Sequence, residues 1–162
     1  MFTIFLILHI LCAAIWFALG LVNMLLMRQA VKAKGTAAEL SFMSSQALAG
    51  RVMGMIGGIG ILLTGGAITG IMHFGWFPFG TSDWLATKQV IFVILLIISF
   101  AVVMPVGKKI DAMIASEQAG PNASRGASQP LREAMNKLKT FGIIMNLLVL
   151  INIILGVWKP VF

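Results

Sequence analysis

The chain has 162 residues, 59% of them hydrophobic and only 10% charged, with a mean hydropathy of +0.99. A soluble domain carries about a quarter charged residues, so this composition excludes a water-soluble globule and suits lipid as the solvent. The net charge of +7 would suggest nucleic acid in a soluble protein. Here the basic residues cluster between apolar runs and no nucleic-acid motif is present, so topology and anionic lipid headgroups account for them.

In chain order, apolar runs lie at about 2–27, 52–72, 85–104 and 140–158. Each is long enough to cross ~30 Å of hydrocarbon as a helix. The expected fold is all-α, a single integral membrane domain over 1–162 built as a four-helix transmembrane bundle. The first run lacks a basic n-region and is too long for a cleaved signal peptide. Cys12 is the one cysteine, so no intramolecular disulfide forms.

Basic residues divide unevenly between the two ends of such a bundle. Arg28, Lys32, Lys34 and Arg51 flank the first connection; Lys108, Lys109, Arg125, Arg132, Lys137 and Lys139 occupy the last. Lys88 and Lys159 alone belong to the end that holds both termini. The positive-inside rule places the two long connections in the cytoplasm and both termini in the periplasm of a bacterial inner membrane. Residues 116–130, rich in Gly, Pro, Ser and Asn, read as a flexible turn. Residues 131–139 read as an amphipathic lead-in that sets Arg132, Lys137 and Lys139 at headgroup level. Trp76, Trp84 and Trp158 fit an interfacial aromatic belt.

Small residues let helices approach closely in lipid. The second span holds Gly54, Gly57, Gly58, Gly60, Gly65, Gly66 and Gly70. The plain reading is tight helix packing; the alternative is a backbone groove against a flat cofactor or a partner helix. In the fourth span Gly142, Met145, Val149, Asn152 and Gly156 mark a second packing face. Asn152 and Asn23 are expected to supply interhelical hydrogen bonds.

Ionisable groups inside spans are functional candidates by default. His9 lies roughly 10 Å below the boundary of the first span, on one face with Cys12 and Trp16. Lys88 follows Trp84 by one helical turn. Its alternatives are a snorkelling lysine near a helix start or a local ion pair with Asp83. His73 ends the second span on the same side as His9, nearer the surface, so a bis-histidine haem is not favoured. A single axial histidine remains open. Met72 beside His73, with His9, is the most plausible copper set among the eleven methionines. The acidic residues all fall in loops or at helix ends, which argues against a carboxylate-based proton-coupled transporter.

The segment His9-Ile10-Leu11-Cys12-Ala13-Ala14-Ile15-Trp16, with Trp84-Leu85-Ala86-Thr87-Lys88 opening a third helix, resembles four-helix bacterial membrane proteins. These are the HemJ-type protoporphyrinogen oxidases and the CopD-like copper-resistance proteins. The resemblance extends over helix count and order, and is sharp only in these two segments. It implies haem b as cofactor, His9 as axial ligand, and Trp84 and Lys88 lining the site. The chain departs from the HemJ-type pattern in having no arginine between Leu19 and Met27. Three readings therefore stand: a haem-binding membrane protein with a redox role, a non-catalytic accessory subunit of a larger respiratory or photosynthetic complex, and a copper-handling protein. A homo-oligomer is compatible with each.

Overall fold

The computed structural model describes residues 1–120 and 123–159. Five helices follow in order: α1 (Phe2–Lys32), α2 (Ala37–Ile71), α3 (Asp83–Ile98), α4 (Met104–Ala119) and α5 (Gln129–Trp158). A π-helical turn, Ser99–Val103, joins α3 to α4 without interruption, and a 3₁₀ turn, Ala123–Arg125, precedes α5. The protein is a multi-pass integral membrane protein, with four continuous helices long and apolar enough to span a bilayer. These are α1, α2, α3 with α4, and α5.

The third span does not stop before Pro105. Proline lacks an N–H and its ring collides with the carbonyl four residues earlier, so it breaks a regular helix. The π turn removes the conflict. The Met104 amide bonds to the Ser99 carbonyl, five residues back, and Pro105 falls in the first turn of α4. The Ser99 hydroxyl donates to the Leu95 carbonyl at 2.7 Å.

With 35 residues, α2 is about 52 Å long, well beyond the ~30 Å of hydrocarbon. The excess lies at the end carrying most of the basic residues, called here the basic end. There the helix extensions form their own core of Ala30, Leu40, Met43, Ile110, Ile114, Ala127, Leu131 and Met135. A second core, Trp16, Leu95, Met145 and Val149, lies within the spans. Leu and Ile side chains such as Ile4, Leu63 and Ile97 point outward, as lipid-facing positions should.

The first connection is short, because α1 and α2 each run into it, leaving residues 33–36 as the turn. Gly35 adopts φ 83° there, a conformation that favours glycine. The stretch expected to be a flexible turn is largely ordered: α4 continues to Ala119 and Ala127 is buried, while Pro121 and Asn122 lie outside the described residues. The lead-in to the fourth span is simply the start of α5, capped by Ser128, whose hydroxyl accepts from the Leu131 amide.

Packing is uneven around the bundle. α1 packs on α2 and α5, α3 packs on α5, and α4 packs on α2 and α5. α3 makes no extended contact with α1 or α2. At the end holding Met1 and Lys159, the termini end, the side between α2 and α3 is bridged by the 72–82 connection. Its Phe74 ring meets Trp84 edge-to-face, and the Phe77 amide donates to Gln89 at 2.5 Å.

Candidate functional site

The glycines of α2 are used by α1. A Cβ at Gly57 would lie 2.7 Å from the Trp16 Cβ, one at Gly60 would overlap the Cys12 sulfur, and one at Gly65 would meet the His9 ring at 3.2 Å. The face that could have been a cofactor groove is therefore filled by His9, Cys12 and Trp16 from the neighbouring helix. Gly70 meets nothing, and Gly66 meets only the Trp76 ring at 3.8 Å.

This packing fixes His9. Its Nδ1 lies 2.9 Å from the Thr64 hydroxyl, which lies 2.5 Å from the Gly60 carbonyl. With the hydroxyl proton on Gly60, His9 Nδ1 is the donor and Nε2 keeps its lone pair; with the proton turned to the ring, Nδ1 is the acceptor. The former, a histidine held through one nitrogen with the other unprotonated, is the arrangement a metal ligand requires. Thr64 itself is buried. Sequence reasoning missed it, because a threonine bonding back to its own helix carries no separate signal.

Lys88 lies in the second turn of α3. Its backbone carbonyl accepts from Asn152 at 3.0 Å. Its ammonium reaches Gly156, where a Cβ would come within 2.6 Å of Nζ. The side chain thus climbs one turn of α5, about 6 Å, towards the termini end. That is the direction of snorkelling, but along the face of a neighbouring helix. Asp83 does not pair with it: its carboxylate accepts from the Gly80 amide at 2.6 Å. Among the described residues the ion pairs are Arg51–Asp111 and Arg132–Glu39, and Lys88 belongs to neither. The Lys88 ammonium is 5.9 Å from the Trp84 ring centre, and Lys159 Nζ lies 5.6 Å from the same ring. Both distances are within cation–π range.

The structure brings Lys88 to the Trp84 ring. It does not bring Met72 and His73 to His9. Both are exposed at the end of α2. His73 lies eight residues beyond the Gly65 that faces His9, about 12 Å along the axis. Among the described residues no three His, Cys, Asp or Glu side chains converge on a metal site. Asn152 bonds as expected, whereas the Asn23 carbonyl oxygen is buried without a partner. Asn146 serves α1 instead, filling the space above Gly20 with its amide.

A second polar cluster sits at the basic end. Glu39, 2% exposed, accepts from Arg132 Nε at 2.7 Å and Nη2 at 2.8 Å, and from the amides of Gly35 at 2.8 Å and Ala127 at 3.2 Å. The guanidinium fork holds this carboxyl below its usual range, with the two amides adding to the effect against the opposing cost of burial. Arg132 is thus committed to Glu39 rather than standing free at headgroup level. The signal was present as Thr36-x-x-Glu39, the spacing of a capping box, though here the carboxylate serves Gly35 and the Thr36 hydroxyl donates to Ala33. Two cavities, of about 270 and 200 Å³, also lie at the basic end, lined respectively by Arg51 with Asp111 and by Glu39 with Arg132. Neither touches His9.

Comparison with family models matches residues 3–160 to the family described as "Predicted integral membrane protein (DUF2269)". The chain belongs to this family. No curated protein matches it, and no solved structure does.

Proposed function

We propose that this member of the integral membrane family binds haem b at the termini end and has a redox role, along the lines of the HemJ-type and CopD-like proteins its sequence resembles. The observation that supports this reading is the 2.9 Å contact between His9 Nδ1 and the Thr64 hydroxyl, which fixes the direction of the imidazole. The residues fit a single axial ligation. His9 would hold the iron, Thr64 would orient the imidazole, and Trp84 and Lys88 would line the ligand. Bound haem supplies a one-electron couple whose potential the axial ligand and surrounding dielectric set. His73 is too far along α2 to act as a second axial imidazole on the same iron. By the distribution of Lys and Arg, the basic end faces the cytoplasm of a bacterial inner membrane and the site faces the periplasmic side.

The test is haem titration of detergent-purified wild type, His9→Ala and Thr64→Val. The reading expects stoichiometric binding by wild type and none by His9→Ala. It expects affinity weakened about 10- to 100-fold in Thr64→Val, as for loss of a ligand-orienting partner. Equal binding by all three would remove His9 from the site. One observation favours a second reading, an accessory subunit in a larger complex: α3 makes no extended contact with α2. Co-purification with a larger complex, and no haem in wild type, would select it.

A further inference from the structure

The cavity of about 200 Å³ at the basic end is lined from the end of α1 and the start of α5 by residues of two kinds. Met27 and Val31 are apolar; Lys34, Arg132 and Asn136 carry hydrogen-bond donors. The two kinds are ordered along the bundle axis. Met27 closes the first apolar run, and Lys34 lies seven residues beyond it, about 10 Å further out. Asn136 lies four residues, about 6 Å, outside the start of the fourth run, and Arg132 one more turn beyond. The cavity therefore straddles the level where hydrocarbon gives way to headgroups, its apolar end inward and its cationic end outward.

Arg132 brings a spare edge to this wall. Its Nε and Nη2 each donate to Glu39. A guanidinium has five N–H groups in a planar fork. The edge formed by Nη1 and the second Nη2 hydrogen is left over, and no acceptor among the described residues meets it. Such an edge takes two oxygens of a phosphate side by side. Glu39 also lines the cavity, but its oxygens already accept four hydrogen bonds and Arg132 balances its charge. The charge that remains at the wall is that of Lys34, which is exposed and outside both described ion pairs. The other acids of this end are engaged elsewhere: Asp111 with Arg51, Glu117 with the Ser128 amide and Glu133 with Gln129. Pro121 and Asn122 carry no charge.

We propose that Lys34, Arg132 and Asn136 form a site for the phosphate of an anionic phospholipid in the leaflet at the basic end. The volume suits a headgroup. It equals that of about six or seven water molecules at ~30 Å³ each, and falls below the ~300–1,000 Å³ of a pocket that encloses a whole small ligand. The phosphate sits inside, while the glycerol and chains continue over Met27 and the outward-facing Val31. A soluble phosphate offers the same oxygens but gains nothing from that apolar side. The bound lipid ties α1 to α5 beside the Glu39 cluster, independently of any haem at the opposite end.

The experiment titrates the detergent-purified full chain with phosphatidylglycerol or phosphatidylcholine of matched chains, and counts bound lipid by native mass spectrometry. Wild type is expected to hold phosphatidylglycerol about tenfold more tightly or better. Lys34→Met should weaken that binding about fivefold, the scale of one lysine at an anionic membrane surface. Adding Asn136→Leu should weaken it further. Lys109→Met removes the same charge from α4, outside the cavity wall, and should change nothing. Arg132→Lys leaves Glu39 a cation but removes the spare guanidinium edge, and should cost about tenfold or more. If Arg132→Lys loses helix content, the variants of the exposed Lys34 and Asn136 decide alone. Equal affinity of wild type for the two lipids would overturn the site, as would equal losses in Lys34→Met and Lys109→Met. Inorganic phosphate is expected to leave phosphatidylglycerol bound. Its displacement by inorganic phosphate would assign the site to a soluble anion and overturn the lipid proposal.

Discussion

Replacing Glu39 with alanine should open the basic end of the bundle. The carboxylate accepts four hydrogen bonds from three chain segments: two from Arg132 on α5, one from Gly35 in the first turn and one from Ala127 before α5. Alanine strands two amides and a guanidinium that is only 24% exposed. Each stranded amide costs about 1–3 kcal/mol, and breaking a buried pair by removing one partner about 3–5 kcal/mol. Because Arg132 can turn part of its head to water, a net loss of about 3 kcal/mol is reasonable for the whole cluster. That corresponds to roughly a hundredfold in the local opening equilibrium. Hydrogen exchange in nanodiscs, read on peptides covering 33–43 and 126–135, measures it. Protection should fall in both peptides together and hold in the span core around Trp16 and Met145. Glu39→Met with Arg132→Leu should recover much of the loss, since no charge is left unpaired. Unchanged protection in Glu39→Ala would refute the reasoning.

Three further outcomes follow from the same geometry. The Glu39 carboxyl is held below its ordinary range in the folded protein, so its contribution is fully present above the unfolded-state value of about 4.3. It is lost as pH falls through the lower folded value. Thermal unfolding should therefore show an acid-side decline below that range, reduced in Glu39→Gln. Gly57→Ala should destabilise the α1–α2 pair by about 1–3 kcal/mol, the usual scale of overpacking, because its Cβ meets the Trp16 backbone as well as its side chain. Gly70→Ala, which meets nothing, should be neutral, and comparative thermal melts of the two variants check both. The exposed Arg51–Asp111 pair should contribute less than about 1 kcal/mol, so Arg51→Ala should leave the melt nearly unmoved.

The spans were legible because lipid leaves a plain mark: charge-free apolar runs bounded by basic residues. The function of the α2 glycines as a seat for α1 was also readable, since small residues at helical spacing have few other uses. The continuation through Pro105 was not. Proline usually ends a helix, and the π turn that tolerates it is formed by backbone bonds with no residue signature at Ser99–Val103. Glu39 was assigned to a loop or helix end, which is correct along the chain and uninformative about burial. Its partner Arg132 is 93 positions away, and no pattern of spacing links the two. Asn23 and Asn146 show the limit from the other side. Both are polar residues within spans, and only the relative placement of α1 and α5 decides which one fills the groove at Gly20. At the candidate site, His9, Trp84 and Lys88 were named from sequence. Thr64 of α2, and Gly156 and Lys159 of α5 and its cap, joined them only once those two helices were placed.

The most direct test of the account is the absorption spectrum of wild-type protein purified from haem-replete cells, recorded oxidised and then dithionite-reduced, with His9→Ala beside it. The account predicts a Soret band with sharpened bands on reduction in wild type and their absence in His9→Ala. A wild-type spectrum without visible absorption would contradict it, as would bands unchanged by the substitution.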